Sequence, residues 1–390
     1  MACEQVTLQD VCELIVDCPH TSAKDEGVRY PLIRTPNVGR GRLILTDVHR
    51  VSQDVYERRV SRAVPRQGDL ILAREAPAGN VAIVPPGIEV CLGQRTMLLR
   101  PDSSFVVPEY LNYYLNAPEQ RDRMLRLANG ATVSHINVAD IRNMPVQLPS
   151  RGEQSKVAEL LNVLDDKIDL NNRLNDYLEQ LVDGKFQELF GGLNFNATLS
   201  DVAEITMGQS PAGSSYNEEG AGIIFYQGRG EFGWRFPKRR LYTTEPKRLA
   251  CEGDVLMSVR APVGDLNVAF ENCCIGRGLA AIHSETPSFA LYLMRFLKPQ
   301  LEAYNGEGTV FGSINGKALK SLEVALPSHN EVMQFESFAA PIDALIRSNE
   351  NETRKLNNLR NYLLPKLMSG EIDVSKVDLT QLTNNHLADC

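Results

Sequence analysis

The chain is written twice, and this duplication constrains its fold more than any other feature of its 390 residues. The pattern L-x-D-V-x-E-L of Leu8 to Leu14 returns, with Ile for the last Leu, from Leu199 to Ile205. Gly68-Asp69-Leu70 matches Gly253-Asp254-Val255, and Ala76-Pro77-Ala78-Gly79 matches Ala261-Pro262-Val263-Gly264. Cys91-Leu92-Gly93 matches Cys274-Ile275-Gly276. Near the end of each copy Ile136-Asn137 matches Ile314-Asn315, and Leu148-Pro149-Ser150 matches Leu326-Pro327-Ser328, at one offset of 178 residues (314 − 136, 326 − 148). At this length two or three domains are expected, and the repeat makes two of them alike.

The offset continues into two helical segments. The first runs from about Glu153 to Phe190 without Pro and is rich in strong helix formers. Val157, Leu161, Leu164, Ile168, Leu178 and Val182 follow a 4-3 spacing interrupted by Asn171 and Asn175, the pattern of a coiled-coil seam. The second, from about Glu331 to Met368, repeats it with Phe335, Ala339, Ile342, Ile346, Leu356 and Leu363, and Asn349 falls where Asn171 falls. A seam Asn lowers stability and can set register or partner; an ordinary solvated helix face is the alternative. Pro341 is expected to start or kink the second helix. The order is therefore residues 1–150, a first domain; 151–190, a central helix; 191–328, a second domain; 329–370, a second long helix; 371–390, a tail. If the second helix returns along the first, the pair is an antiparallel coiled coil. About 38 residues at roughly 1.5 Å each make a rod of about 55 Å, comparable to one and a half turns of DNA.

Inside the halves the signals are strand and turn. Residues 69–73 and 80–84 read as strands bounded by Pro and Gly, residues 254–259 and 266–270 repeat them, and helices are expected over 108–127 and 288–304. The fold class is thus α+β, with two pseudo-symmetric mixed α/β domains.

The net charge of −8 argues at first against nucleic acid. Split along the chain it says otherwise: residues 1–150 carry 17 basic and 17 acidic side chains and residues 191–328 carry 13 and 14, so the acidity sits in the helices. Arg supplies 16 of the 17 cations in residues 1–150, a bias that suits bidentate recognition of phosphate or guanine. The eight cysteines form no C-x-x-C pair, and their spacing along the chain suits neither a zinc site nor a disulfide scaffold; reduced thiols are expected and no metal site is read, the cluster Cys12, Cys18 and His20 included. No apolar run is long enough to span a membrane, and the start lacks a secretory pattern, so a cytoplasmic protein is expected.

Leu164-Asp165-Asp166-Lys167-Ile168-Asp169-Leu170-Asn171 in the first helix and Leu363-Leu364-Pro365-Lys366-Leu367-Met368-Ser369-Gly370-Glu371-Ile372 at the end of the second closely resemble motifs of the specificity subunit of Type I restriction–modification systems. So does the run from Ser258 to Asp265, with Cys273-Cys274-Ile275-Gly276-Arg277-Gly278. The resemblance spans nearly the whole chain, with the motifs in order and in both copies. It implies a non-catalytic subunit whose two target-recognition domains each read half of a split, asymmetric sequence in double-stranded DNA. It further implies that the helices dock two modification subunits, which bind S-adenosylmethionine and methylate adenine N6, and that two restriction subunits complete a complex using ATP and Mg. A subunit of a related defence system, or a coiled-coil adaptor without DNA readout, is the alternative.

Base and phosphate contacts need donors and acceptors on exposed loops. In the first domain the candidates are Lys24, Arg34, Asn37, Arg40 and Arg42, all near Pro or Gly turns. In the second they are Gln209, Ser210, Tyr226, Gln227 and Arg229, then the cationic and aromatic cluster Trp234, Arg235, Lys238, Arg239 and Arg240, alternatively a solvated turn with the Trp in the core. Arg74 and Arg260, each between the Gly-Asp strand and the Ala-Pro turn, are either repeated DNA contacts or structural ion pairs. Gln94 and Arg95, and Arg277, follow the matched Cys-x-Gly, and Thr132 and Ser134 form a further candidate loop. No enzyme site is legible. The chain lacks N-P-P-[FY] and G-x-G-x-x-G, and residues 312–318 miss the phosphate-loop spacing and its Ser or Thr.

Overall fold

The structure, a computed structural model, describes residues 4–128, 135–306 and 312–376. Two long helices dominate, Arg151–Phe190 and His329–Met368, each of 40 residues. Both begin two residues earlier than hydrophobic periodicity alone places them, and a capping box explains why. Ser150 Oγ and Glu153 Oε2 bond reciprocally with each other's backbone N–H at 3.4 and 3.0 Å, and Ser328 and Glu331 do the same at 3.4 and 2.8 Å. Pro341 does not start the second helix, which runs continuously through it; the Ser328 cap has already set the start twelve residues earlier (341 − 329).

The chain divides into two compact bodies, Met1–Asp169 with Thr353–Cys390, and Leu170–Glu352. Each body therefore holds one domain and part of each long helix. In the first body a five-stranded sheet runs in the order Cys12–Asp17, Thr96–Pro101, Leu70–Ala73, Val81–Ile83, Gly41–Arg42. In the second, four strands repeat that order: Glu204–Met207, Leu279–His283, Val255–Ser258, Leu266–Val268. Beside each sheet lies a short parallel pair, Leu32 with Cys91 and Ile33 with Leu92 in one body, Phe225 with Cys274 and Tyr226 with Ile275 in the other. The Ala-Pro-x-Gly turn is shared to the backbone: both Ala-Pro peptides are cis, and Gly79 and Gly264 close the turn at φ 83° and 90°, where side chains are disfavoured. The expected helices over 108–127 and 288–304 are each broken, into Pro108–Asn116 and Pro118–Leu127 and into Pro287–Phe296 and Lys298–Glu302. A proline near each break, Pro118 or Pro299, cannot donate to the preceding turn.

Each sheet packs against both long helices of its own body. The first core joins Leu70, Leu72 and Met97 to Val157, Leu160, Leu161 and Leu367. The second joins Val255, Met257 and Ala280 to Val182, Phe186, Phe190, Phe335 and Ala339. Phe186 meets Phe190 and Phe335 edge-on at ring separations of 5.0 and 5.3 Å, so the second domain is clamped by an aromatic cluster. Along the expected seam Leu161, Leu164, Ile168 and Ile346 are buried, whereas Leu178, Ile342, Leu356 and Leu363 are half-buried. Within the second body Asn349 donates to Asn175 at 2.9 Å and Asn171 to Glu352 at 2.8 Å; within the first, Arg360 donates to Asp165 at 2.7 Å. Among the described residues no helix is long and apolar enough to cross a membrane.

Candidate nucleic-acid interface

The repeated hydrogen bonds define which positions of the two domains are equivalent. Ile136 N donates to Arg74 O in the first domain, and Ile314 N to Val259 O in the second. The residues that follow, Glu75 and Arg260, form matching bridges with His135 and Ser313. Arg260 therefore corresponds to Glu75, and the sequence pairing of Arg74 with Arg260 is corrected by one residue. Arg74 N bonds to Arg95 O and Val259 N to Gly278 O, and Gly93 N to Ile33 O and Gly276 N to Tyr226 O. Arg34, Glu75, Gln94 and Arg95 thus stand on the frame where Gln227, Arg260, Arg277 and Gly278 stand in the second copy.

These two quartets differ in charge and pairing. In the first domain Arg95, left-handed at φ 68°, pairs with Glu75 at 2.8 Å, Gln94 donates to His20 O at 3.0 Å, and Arg34 is half-buried. In the second, Arg260 and Arg277 are exposed and form no ion pair among the described residues. With Gln227, Gly228, Arg229 and Gly278 they line a pocket of about 290 Å³. A larger cleft of about 880 Å³ also touches Arg229 and Arg295, but its charges are satisfied internally, Arg229 by Asp265 and Arg295 by Asp183 at 2.6 Å. Two unpaired guanidinium groups and an amide at one concave surface are what an incoming anion or base edge can use.

Several other candidates are buried or held by groups of their own domain. Asn37 is buried, closing a turn by accepting from Arg34 N at 3.2 Å and donating to Ile44 O at 3.2 Å. Tyr226 is fully buried in the parallel pair. Arg235 is only 4% exposed and lies between Glu179 and Asp343, at 3.3 Å from each, while Tyr292 Oη accepts from it at 3.0 Å. Burial pushes the Glu179 carboxyl up against the lowering pull of Arg295 and Arg235. Arg74 pairs with Asp17 at 2.6 Å and donates to Ile136 O at 2.9 Å, so its role is the structural alternative. Arg42 bonds Asp166 at 2.7 Å and also Asp169. The acidic motif of the central helix is therefore not a plain solvated face: Asp166 and Asp169 hold Arg42, and Asp165 holds Tyr113 at 2.8 Å and Arg360. Tyr292 donating to Asp343 at 3.1 Å repeats the Tyr113–Asp165 contact in the second domain.

The remaining candidates lie at the surface. Lys24, Arg40, Gln209 and Lys238 are exposed, Ser210 accepts from Arg277 N at 3.3 Å, and Trp234 is 43% exposed rather than tucked into the core. Arg239 pairs with Glu271 at 2.6 Å and Arg240 with Glu231 at 2.5 Å, both with half-exposed guanidinium groups. The Arg239–Glu271 pair is half exposed on both sides and contributes at most about 1 kcal/mol, so a phosphate can displace its carboxylate, whereas Glu231 is buried and holds Arg240 more firmly. Thr132 and Ser134 lie outside the described residues. Among the cysteines, burial pushes the Cys12 and Cys91 thiols up to about 12. Cys18 is buried, and the nearby His20 faces Asp17 at 3.4 Å. Glu75 was missed in sequence because it is acidic; alignment on the Ala-Pro turn places it under Arg260.

Comparison with known proteins identifies the family. The family profile described as the Type I restriction modification DNA specificity domain matches residues 2–180 and 196–361, once for each copy of the repeat. A Methanocaldococcus jannaschii chain bearing the name of a type I restriction enzyme MjaX specificity subunit is 31% identical over 94% of this chain and 93% of its own. The type I restriction enzyme MjaIX specificity subunit of the same organism is 22% identical over 85% and 84%. The crystal structure of a Type-I restriction-modification system S subunit from M. genitalium shares the fold at a TM-score of 0.62, with 15% identity, 94% of this chain and 96% of that one covered. The duplicated frame, the two long helices and the matched profile together establish that this chain belongs to the Type I restriction modification DNA specificity family, as a non-catalytic specificity subunit of a Type I restriction–modification system.

Proposed function

We propose that the chain reads a bipartite, asymmetric sequence in double-stranded DNA, one half through each domain. One observation carries this reading: a single backbone frame appears twice with different residues at four equivalent positions, four polar side chains in the first copy and three in the second. Arg34, Glu75, Gln94 and Arg95 in the first copy correspond to Gln227, Arg260, Arg277 and Gly278 in the second. Arg prefers guanine O6 and N7, Gln prefers adenine, and a carboxylate accepts from cytosine N4, so two such heads prefer different bases. Trp234, Lys238, Arg239 and Arg240 supply backbone contacts beside the second head, and Lys24 and Arg40 do so beside the first.

The long helices act as an antiparallel coiled-coil spacer and as the docking surface for two modification subunits, through which two restriction subunits join. The Asn349–Asn175 and Arg360–Asp165 bonds support the pairing. Leu170, Leu174, Tyr177 and Leu181 support the docking: they recur at one-face spacing and are 38–69% exposed, a stripe of large apolar groups suited to a protein partner. S-adenosylmethionine, ATP and Mg belong to those partner subunits, and the complex works in the cytoplasm.

The test is methylome mapping after co-expression with the cognate modification subunit. A single split motif carrying N6-methyladenine is expected. Arg260→Ala with Arg277→Ala should relax one half of that motif and leave the other unchanged, at about 1–3 kcal/mol of discrimination per lost base contact. Relaxation of both halves, or of neither, would remove this pocket from base reading.

A further inference from the structure

We infer that Cys251, Asp254 and His283 form a binding site for a borderline divalent metal ion such as Zn²⁺, at the place where the first domain keeps a guanidinium group. Each residue offers one ligand atom, and the three atoms lie within 4.8 Å of one another. Cys251 and Asp254 share one turn but His283 is 29 residues further on, which is why spacing along the chain suggested no metal. Strand register brings them together: Val255 pairs with Ile282, so Asp254 and His283 are neighbours, and Cys251 begins the turn that Asp254 ends.

The comparison between domains points to a cation. Leu70 pairs with Leu99 as Val255 pairs with Ile282, which makes Asp69 the counterpart of Asp254 and Arg100 the counterpart of His283. Arg66 N donates to Asp69 Oδ2 at 2.9 Å and Cys251 N to Asp254 Oδ2 at 2.8 Å, so the turn is the same and Cys251 replaces Arg66. Both carboxylates are nearly out of water, their side chains 3% and 6% exposed. In the first domain Arg100 grips Asp69 with two bonds, 2.9 and 2.8 Å, and its charge is permanent. In the second domain Asp254 has His283 Nδ1 at 2.6 Å, on a ring that is half exposed and neutral unless protonated. A buried carboxylate needs a cation beside it. Where the repeat has lost two arginines it has gained a thiol and an imidazole, the two side chains that bind zinc most readily.

The geometry admits the ion. Ligands at about 2.0–2.3 Å from a tetrahedral metal lie about 3.5 Å apart, so the widest separation must close by up to about an ångström while His283 and Asp254, now hydrogen-bonded at 2.6 Å, must open by a little less. Cys251 and His283 are exposed and can close by side-chain rotation, leaving a fourth position for water. Glu204 and Glu285 add negative charge around His283. A bound ion would tie the Cys251 turn to the Leu279–His283 strand, bracing the strand that leads into Arg260.

The experiment uses the full chain, reduced and stripped with a chelator, titrated with Co²⁺ and then Zn²⁺. One equivalent of Co²⁺ with a thiolate-to-metal charge-transfer band is expected, displaced by Zn²⁺ and accompanied by a rise in Tm. Cys251→Ser should abolish the band. His283→Arg should abolish it too while keeping the fold, because it rebuilds the pair that Arg100 makes; circular dichroism checks this, and the exposed Cys251→Ala serves if that variant unfolds. Absence of the band in the wild type, or an undiminished band in Cys251→Ser, overturns the assignment.

Discussion

Arg42, Arg74 and Arg235 turn their guanidinium groups onto protein carboxylates, while Arg260 and Arg277 turn theirs outward. Burial sets Arg74 and Arg235 apart from the outward pair, whereas Arg42, itself 40% exposed, is turned inward by two carboxylates. Removing Arg235 takes from Asp343 its ion-pair partner among the described residues and from Glu179 one of two, Arg295 remaining at 2.9 Å, and breaking such a partly buried cluster costs up to about 3–5 kcal/mol. Arg235→Ala should therefore lower the urea midpoint strongly. Arg239→Ala with Arg240→Ala should lower it less, by the roughly 1–3 kcal/mol that the loss of the cation beside the buried Glu231 costs, because Arg239 and Glu271 are themselves half exposed. The same double variant should weaken DNA binding and reduce the salt slope of log K by about two, if both meet phosphates. A strongly destabilised Arg239/Arg240 variant, or an unaltered slope, would show that these pairs belong to the fold alone.

At the scale of elements, the long helices carry both the acids that hold each domain and the amides that meet between helices. Asn175 and Asn349 are buried and satisfy one another, so leaving one without the other is the costly change. Asn349→Leu should destabilise the second body by about 1–3 kcal/mol. Asn175→Leu combined with it should recover much of that loss, since an apolar seam pair needs no hydrogen bond. Denaturant titration of the two single variants and the double closes the cycle, and strict additivity would mean that the amides do not act as a pair.

For the whole molecule, the length of the helix pair is the quantity that two half-sites would measure. Removing four residues from each helix, at 171–174 and 349–352, shortens a helical pair by about 6 Å, close to two base pairs. The unread spacer of the methylated motif should contract accordingly. An unchanged spacer in an assembled, active complex would refute the ruler.

The sequence by itself determined the duplication, the two 40-residue helices to within two residues, the strand-and-turn order and the family, because all of these are carried by local periodicity or by motifs contiguous in the chain. Even the missed helix starts were written locally, as Ser-x-x-Glu at 150 and 328. Only tertiary structure decided which arginines are free. Arg42 and Arg235 read in sequence like DNA contacts, yet their carboxylate partners lie far along the chain on the long helices, Asp166 for Arg42, Glu179 and Asp343 for Arg235. Likewise Cys251 and His283 meet only because strand register joins them, and Arg260 matches Glu75 rather than Arg74 only by hydrogen-bond pattern. Pairing of charges is a property of distance in space, and no pattern along one chain records it.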